Sequence, residues 1–232
     1  MLSLAVFDMA GTTVNDGGAV YRALEQAVTE TGATVSAEDL QTWMGTEKRA
    51  AITALIRLGG GDPEPASKID ATFDRFQEIL AEVYAAEPPT AIDGVPEAIT
   101  ALRERGMKVG LTTGFSRDVA HALLAQLGWV VGETAAPGVT RIDAITCGDE
   151  VPAGRPAPYM IHRVMEATGT LNVNEVLVAG DTIVDVQAGA ASGAAVTIGV
   201  LSGKLERAAF DGQPFTAVLG SVAEIPAFLD AR

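Results

Sequence analysis

Short apolar runs alternate with amphipathic helical patterns over most of the chain. Each apolar run has the length of a buried strand, and the predicted strands cover residues 2–7, 108–112, 144–146, 176–179 and 195–200. Helical periodicity predicts helices between them at 96–105, 117–127, 158–168 and 184–192. Because strands separated by helices pair in parallel, this pattern indicates an α/β fold with a doubly wound parallel sheet.

One long stretch after the first predicted strand contains helical patterns alone. The predicted helices cover residues 19–31, a segment after Ser36, residues 46–58 and a segment from Ser67 to about residue 84. Two proline-containing turns within residues 88–96 mark the return to the α/β pattern. We therefore expect an all-helical cap domain at residues 15–92, inserted into a core domain of residues 1–14 and 93–232 like a lid over the strand ends.

Composition and charge narrow the possible partners. The 232 residues carry a formal net charge of −14, which argues against binding to nucleic acid or to an anionic membrane. The single cysteine, Cys147, is interpreted as a small buried hydrophobic residue. The N-terminus enters a strand without a basic and apolar leader, so a cytoplasmic location is the default expectation. An anionic substrate would need a local positive centre, such as a divalent cation held by acids.

Acids and hydroxyls follow three of the predicted strands. Asp8 ends the first strand, Thr113 and Gly114 follow the second, and Asp181 follows a later one, with Asp185 four residues further on. Open α/β sheets bind ligands at the carboxyl ends of their strands, and carboxylate oxygens are ligands that Mg²⁺ prefers. Taken singly, each of these residues is also typical of ordinary turn or helix-start chemistry.

A proline-bounded turn at residues 154–158 presents one basic side chain, Arg155. Its planar guanidinium matches a phosphate-like group and keeps its charge. His121 and His162 lie on predicted helices without partners for a catalytic triad, so we expect structural roles for both.

Taken together and in this order, the four polar stretches resemble the haloacid dehalogenase superfamily of phosphotransfer hydrolases. The resemblance implies a Rossmann-type core sheet with an inserted cap, a Mg²⁺ cofactor and a small phosphorylated or phosphonate substrate. It implies that Asp8 is the nucleophile and that Thr113, Gly114 and Arg155 bind the phosphoryl oxygens. It also implies that the metal ligands are Asp8, the backbone carbonyl of Ala10, and Asp181, and that Asp185 supports these ligands from beside the metal.

Two departures from the common pattern resemble the phosphonatase branch of that superfamily. Most members carry an acid two residues after the nucleophile, where this chain has Ala10, and a lysine where it has Arg155. The branch has a cap lysine in a Met-Gly-x-x-Lys segment, and residues 44–48 match it. The resemblance therefore implies a catalytic role for Lys48 and a substrate contact at Gly45.

The chemistry of carbon–phosphorus cleavage explains why these features belong together. A carbon leaving group needs an electron sink, and an imine between Lys48 and a carbonyl beta to phosphorus provides one, because cleavage then releases a neutral enamine. The lysine must be uncharged to form that imine. We therefore expect a Mg²⁺-dependent hydrolase of a 2-oxoalkylphosphonate, acting through a Lys48 Schiff base and an aspartyl phosphate at Asp8.

Three positions depart from the phosphonatase pattern, which leaves alternatives open. A histidine, a tyrosine and a cysteine of that pattern are replaced here by Ala51, Phe115 and Gly18. One alternative is a phosphatase of small phosphate monoesters in which Lys48 only binds substrate. Another is a module that binds a phospho-ligand or a partner without catalysis. The resemblance also implies a possible homodimer through the cap helices.

Overall fold

The computed structural model of the protein describes residues 1–43, 46–132, 134 and 136–232. Contacts between Cα atoms divide the chain into two compact units. The first unit comprises Met1–Asn15 and Thr90–Arg232, and the second comprises Asp16–Pro89. The second unit starts one residue later and ends three residues earlier than the expected cap range of 15–92.

The strands and helices follow one another along the chain in this arrangement. The strands are β1 Leu4–Asp8, β2 Val14–Asn15, β3 Thr90–Ala91, β4 Lys108–Thr113, β5 Val130–Val131, β6 Arg141–Ile142, β7 Ala144–Cys147, β8 Val176–Gly180, β9 Val196–Val200 and β10 Ala217–Leu219. The helices are α1 Ala19–Thr29, α2 Ala37–Thr42, α3 Lys48–Leu58, α4 Ala66–Ala86, α5 Val95–Glu104, α6 Arg117–Gln126, α7 Tyr159–Thr168, α8 Ile183–Ala191 and α9 Ile225–Asp230.

A six-stranded parallel sheet forms the centre of the first unit. Its strand order is β10, β9, β8, β1, β4 and β7. Every neighbouring pair is parallel, and β1 lies between β8 and β4. The five residues of β1 are all buried, as expected for a central strand of a parallel sheet with helices against it. The predicted α/β fold is confirmed.

Alternate residues of the central strands form a core beneath helices α7 and α8. Leu4 and Val6 of β1 belong to the same buried cluster as Val164 of α7 and Ala188 of α8. The close approach of α7 depends on Gly110 in β4, because a Cβ atom there would lie 2.2 Å from Val164 Cγ1. A larger residue at that position would push the helix away from the sheet.

The second unit contains helices α1 to α4. The buried residues of α1 repeat at helical spacing and give it an amphipathic pattern. Arg75 of α4 bonds Glu30 at the end of α1 at 2.8 Å, and the Arg49 guanidinium of α3 lies 3.9 Å from the ring centroid of Phe73 in α4. Polar and cation–π contacts therefore link these helices at the surface of the unit.

Several elements differ from the predicted ones. The helix expected to begin at Ser67 is α4, which begins at Ala66 after Pro65, so Ser67 lies within the first turn instead of capping it. Proline is compatible with that position because its backbone angle suits a helix start. The sequence pattern did not predict β10, α9 or the antiparallel pair of β2 with β3. None of the described helices has both the length and the apolar character needed to cross a membrane.

Candidate active site

Three neighbouring strands of the central sheet end at polar residues. Asp8 is the last residue of β1, Thr113 is the last residue of β4, and Asp181 directly follows β8. Because the three strands are parallel neighbours, these residues meet at the carboxyl edge of the sheet. All three side chains are buried. The sheet therefore brings together residues that are distant in the sequence.

A tight turn follows Asp8 and fixes the backbone around it. The amides of residues 12–14 all donate to the carbonyl oxygen of Met9, at 3.1, 2.8 and 2.8 Å. The Thr13 hydroxyl donates to the carbonyl oxygen of Asp8 at 2.9 Å. Ala10, the expected backbone ligand of the metal, lies half-buried inside this turn. The hydrogen bonds of this turn hold the Asp8 backbone in place, and they therefore fix the point from which the Asp8 carboxylate extends.

Arg155 lies against the Asp8 carboxylate. Its Nη1 atom is 2.8 Å from Asp8 Oδ1 and also donates to Asp185 Oδ1. The side chains of these three residues are at most 8% exposed. The Nε atom of Arg155 is buried and has no hydrogen-bond partner among the residues that the structure describes. Since a guanidinium carries five N–H donors, Arg155 retains donors for an additional anion.

Asp185 caps the helix on which it lies and also binds Arg155. It is in the first turn of α8, where its Oδ2 atom accepts hydrogen bonds from the Thr182 backbone amide at 3.0 Å and from the Thr182 hydroxyl. Gly180 leaves room for this arrangement, because a Cβ atom there would lie 2.2 Å from Asp185 Cβ. The capping box orients the carboxylate, and the carboxylate orients Arg155.

Asp181 is held by the turn after β1. The Thr12 hydroxyl donates to Asp181 Oδ1 at 2.9 Å. Burial, and then the negative charge of Asp8, raise the pKa of the Asp181 carboxyl to about 7, while the Thr12 hydrogen bond and the charge of Arg155 oppose that shift. The pKa indicates that negative charge at this position is incompletely neutralised.

The donor set fits a divalent cation. One carboxylate oxygen from each of Asp8, Asp181 and Asp185 lies within 4.8 Å of the others. Arg155 neutralises only one of the three buried charges, and uncompensated buried charge is costly. Hard carboxylate oxygens suit Mg²⁺. Asp185 uses Oδ1 for Arg155 and Oδ2 for Thr182, whereas Asp8 contacts Arg155 through Oδ1, so the side chains best placed to bind a metal are Asp8 and Asp181.

The turn after β4 places a buried hydroxyl at the same edge of the sheet. Thr113 is 2% exposed, and its Oγ1 atom accepts a hydrogen bond from the Phe115 amide at 3.2 Å. Gly114 lies between these two residues, and α6 begins at Arg117. The expected phosphoryl contacts of Thr113 and Gly114 thus lie in the same unit as Asp8.

Lys48 lies in the helical unit. It is the first residue of α3 and is 3% exposed, and its Nζ atom donates to the Thr46 carbonyl oxygen at 3.0 Å. The carboxylate of Glu47 caps the same helix by accepting hydrogen bonds from the Arg49 and Ala50 amides, both at 2.8 Å. Gly45, the expected substrate contact, and Met44 lie outside the described residues.

The cysteine and one of the histidines have structural surroundings. Burial, and then the charges of Glu150 and Asp149, raise the pKa of the Cys147 thiol well above its ordinary value, which disfavours the reactive thiolate. The His162 Nε2 atom lies 3.1 Å from the Ser192 carbonyl oxygen, just beyond the end of α8.

Two contacts at the site were not predicted from the sequence. One is the hydrogen bond of Thr12 to Asp181, and the other is a hydrogen bond of 2.7 Å from the Ser202 hydroxyl to the Gly11 carbonyl oxygen. Ser202 follows β9, whose carboxyl end lies at the same edge of the sheet as the end of β8. A survey of the polar residues that follow each predicted strand would have found Ser202.

Comparison with known proteins gives a consistent family. The sequence profile of the haloacid dehalogenase-like hydrolases matches residues 2–193. A phosphonoacetaldehyde hydrolase of Bacillus cereus is 32% identical over 216 residues, which cover 88% of this chain and 78% of the relative. A protein of the same name from Bacillus thuringiensis is 32% identical over 217 residues, with the same coverage of both chains.

Solved structures share the fold at lower sequence identity. A hydrolase from Pseudomonas syringae has a TM-score of 0.83 at 19% identity and covers 100% of this chain and 99% of its own. A phosphonoacetaldehyde hydrolase-like protein from Oleispira antarctica has a TM-score of 0.79 at 21% identity, with 99% and 92% coverage. A β-phosphoglucomutase from Clostridium difficile has a TM-score of 0.81 at 13% identity and covers 100% of both chains.

Proposed function

Because the chain belongs to the haloacid dehalogenase-like hydrolases, we propose that it is a Mg²⁺-dependent, phosphonatase-like enzyme that cleaves the carbon–phosphorus bond of a 2-oxoalkylphosphonate. Phosphonoacetaldehyde or a close relative is the expected substrate, in line with the name shared by the relatives in Bacillus. The observation that carries the proposal is a buried lysine, Lys48, in a chain whose position 10 has a methyl group instead of an acid.

Asp8 and Arg155 perform the phosphoryl half of the proposed reaction. An Asp8 oxygen attacks phosphorus and forms an aspartyl phosphate, and Arg155 donates to the phosphoryl oxygens through the N–H groups that its two carboxylate partners leave available. Thr113 accepts from a backbone amide, so its own hydroxyl hydrogen can point to a phosphoryl oxygen. Mg²⁺ bound by Asp8, Asp181 and the Ala10 carbonyl would supply positive charge to the same oxygens.

Lys48 performs the carbon half. Its amine condenses with the substrate carbonyl, and water is lost as the iminium forms. The electron pair of the breaking C–P bond moves into the iminium and gives a neutral enamine, while phosphorus passes to Asp8. Water then releases phosphate from Asp8, and protonation and hydrolysis of the enamine return Lys48 and a carbonyl product. The first step needs the amine in its uncharged form, and Lys48 is a buried residue at the start of a helix.

Borohydride trapping tests the Schiff base directly. Phosphonoacetaldehyde and longer 2-oxoalkylphosphonates are incubated with the protein and reduced, and the labelled residue is identified by mass spectrometry. We expect one label at Lys48 and none in a Lys48→Arg variant, which keeps a long basic side chain but cannot form an imine under these conditions. A label that persists in the variant removes Lys48 from the mechanism.

A second candidate function is the hydrolysis of small phosphate monoesters, with Lys48 as a binding group. The observation in its favour is that the groups expected to move protons in a phosphonatase are absent, since positions 51, 115 and 18 hold Ala51, Phe115 and Gly18. Turnover of p-nitrophenyl phosphate or sugar phosphates above every phosphonate in the panel would favour this function. The absence of an acid at Ala10 predicts slow ester hydrolysis, because the leaving alkoxide lacks a proton donor there.

The expected partner is a small phosphonate or phosphate molecule. A homodimer and a cytoplasmic location stay predictions.

A further inference from the structure

The loop that follows β9, residues 201–204, lies directly against the Asp181 carboxylate. A Cβ atom added to Gly203 would be 1.9 Å from Asp181 Oδ2, 2.5 Å from its Cγ and 2.7 Å from its Cβ. Rotation of the carboxylate alone would not relieve a contact that includes the Asp181 Cβ atom. The backbone at Gly203 therefore forms a wall against which the Asp181 side chain rests.

Steric fit, and not backbone conformation, explains the glycine at this position. Gly203 is absent from the glycines with positive φ in the described chain, so a side chain would cause no strain in its own backbone. By contrast, Gly11 has a φ of 86°, and a Cβ atom there would lie 2.4 Å from Asp181 Oδ2. The Asp181 carboxylate is thus enclosed between two glycine backbones that come from different loops.

Ser202 connects the two loops. Its hydroxyl donates to the Gly11 carbonyl oxygen at 2.7 Å, and the adjacent Thr12 hydroxyl donates to Asp181 Oδ1. A displacement of the 201–204 loop would therefore reach the Asp181 carboxylate both by direct contact through Gly203 and through the turn that follows Asp8.

We propose that the 201–204 loop is a positioning element for the divalent cation, in which Gly203 and Ser202 set the orientation of the Asp181 carboxylate toward the metal. The inference rests on the proposed function only in requiring a cation at Asp8 and Asp181. Mg²⁺ demands near-ideal octahedral geometry at short ligand distances, whereas Ca²⁺ accepts longer and less regular ones. A displaced carboxylate should therefore weaken Mg²⁺ binding more than Ca²⁺ binding.

The test compares metal affinities of the full-length protein and its Gly203→Ala variant. Metal-free protein is titrated separately with Mg²⁺ and Ca²⁺ in a calorimeter, with no substrate present. We expect Gly203→Ala to weaken Mg²⁺ binding by about ten- to a hundredfold, as is usual for groups that orient metal ligands, and to reduce the ratio of Mg²⁺ to Ca²⁺ affinity. Ser202→Ala removes the hydroxyl without adding bulk and should shift the ratio in the same direction by a smaller factor.

Gly61→Ala is the matched control, because Gly61 also has no positive φ and its added Cβ atom would lie 2.9 Å from Ile56 Cγ2, within the second unit, whereas the 201–204 loop belongs to the first unit. It should leave both affinities unchanged. The inference is overturned if Gly203→Ala folds and binds Mg²⁺ with the affinity of the unsubstituted protein. If Gly203→Ala does not fold, the inference is overturned when Ser202→Ala binds Mg²⁺ with the affinity of the unsubstituted protein. If the unchanged protein binds neither cation, the metal site of the proposed function fails as well.

Discussion

Arg155 is the residue whose environment departs most from that of an ordinary surface arginine. It is buried between Asp8 and Asp185, and its Nε atom has no hydrogen-bond partner within the described part of the chain. Arg155→Ala should lower kcat/KM for phosphate release by roughly 10²- to 10³-fold, because it removes a preorganised donor for charge that develops on the phosphoryl oxygens. Arg155→Lys should recover only part of the loss, since an ammonium is a point charge and does not span two carboxylates in a plane.

An arginine elsewhere on the first unit provides the control for this experiment. Arg163 on α7 is 59% exposed and pairs with Glu166 at the surface, so Arg163→Ala should leave kcat/KM unchanged. Equal kinetics for the Arg155→Ala protein and the unchanged protein would contradict the assignment of the phosphoryl site.

Asp181 gives the site a pH dependence whose direction can be worked out. Its pKa rises from an ordinary value of 3.8 to about 7 in the folded, metal-free protein, so the folded state holds a proton that the unfolded state releases. The contribution of this group to stability is therefore fully present below about pH 4 and is lost as the pH rises through about 7. Denaturant unfolding of the metal-free protein from pH 5 to 8 should show this decline, and Asp181→Asn should reduce it.

The same proton should be released when a metal binds. Below pH 7, binding of Mg²⁺ requires Asp181 to ionise, so calorimetry in buffers of different ionisation enthalpy should detect release of up to about one proton per Mg²⁺ at pH 6 and much less at pH 8. Equal proton release at both values would contradict a metal at Asp181.

At the residue scale, the sequence indicates which side chains gather but not how they bond. Asp8, Thr113 and Asp181 each end or follow a strand, and parallel strands bring such residues to one edge. The bond of Arg155 to Asp185 depends on the path of a loop that has no periodicity. The raised pKa of Asp181 depends on burial, which a local pattern of residues does not specify.

The first turn of α3 is the element on which the proposed lysine chemistry depends. Glu47 caps it through the Arg49 and Ala50 amides, and Lys48 is its first residue. Glu47→Ala should lower the free energy of unfolding by about 1 kcal/mol, as expected for the loss of a helix cap. It should also slow borohydride trapping at Lys48 by about tenfold, because the amine would leave its position for attack.

A second helix cap in the same unit separates these two effects. The Ser36 hydroxyl caps α2 by accepting a hydrogen bond from the Asp39 amide at 3.0 Å. Ser36→Ala should cost a similar free energy of unfolding but leave the rate of trapping unchanged. Equal slowing in both variants would show that the lysine responds to general destabilisation and not to its own helix start.

At the element scale, length decides what can be predicted. Helices such as α1 and α5 contain several turns of apolar periodicity, and the long strand runs are almost wholly apolar, so both were predicted to within a few residues. The pair β2 and β3 has two residues in each strand, too few to show an alternating pattern. The strand β10 has three residues and pairs at the edge of the sheet, where its only sequence signal is a short apolar run.

At the scale of the whole molecule, the chain leaves and re-enters the first unit through paired strands. Val14 and Asn15 of β2 pair in antiparallel register with Ala91 and Thr90 of β3, and the second unit comprises the residues between them. The break in the α/β pattern predicted an insertion at this place. A role of the inserted unit as a cap stays a prediction, because a helical pattern carries no information about the substrate.

Removal of the inserted unit tests which steps of the proposed reaction each of the two units performs. Asn15 and Thr90 are direct partners across the antiparallel pair, so residues 16–89 can be replaced by an Asn-Gly turn of the kind that joins hairpin strands. The shortened protein should fold cooperatively, since the parallel sheet and its core clusters lie within the first unit. It should bind Mg²⁺ and form an aspartyl phosphate at Asp8 from a small phosphoryl donor such as acetyl phosphate. It should release no phosphate from a 2-oxoalkylphosphonate, because it lacks the amine that converts carbon into a leaving group.

Full-length Lys48→Ala, which keeps the helical unit without that amine, should behave in the same way toward the phosphonate. Phosphate release from the phosphonate by either variant would contradict the Schiff-base mechanism, whereas loss of the aspartyl phosphate in a folded shortened protein would show that the first unit alone does not complete the phosphoryl site.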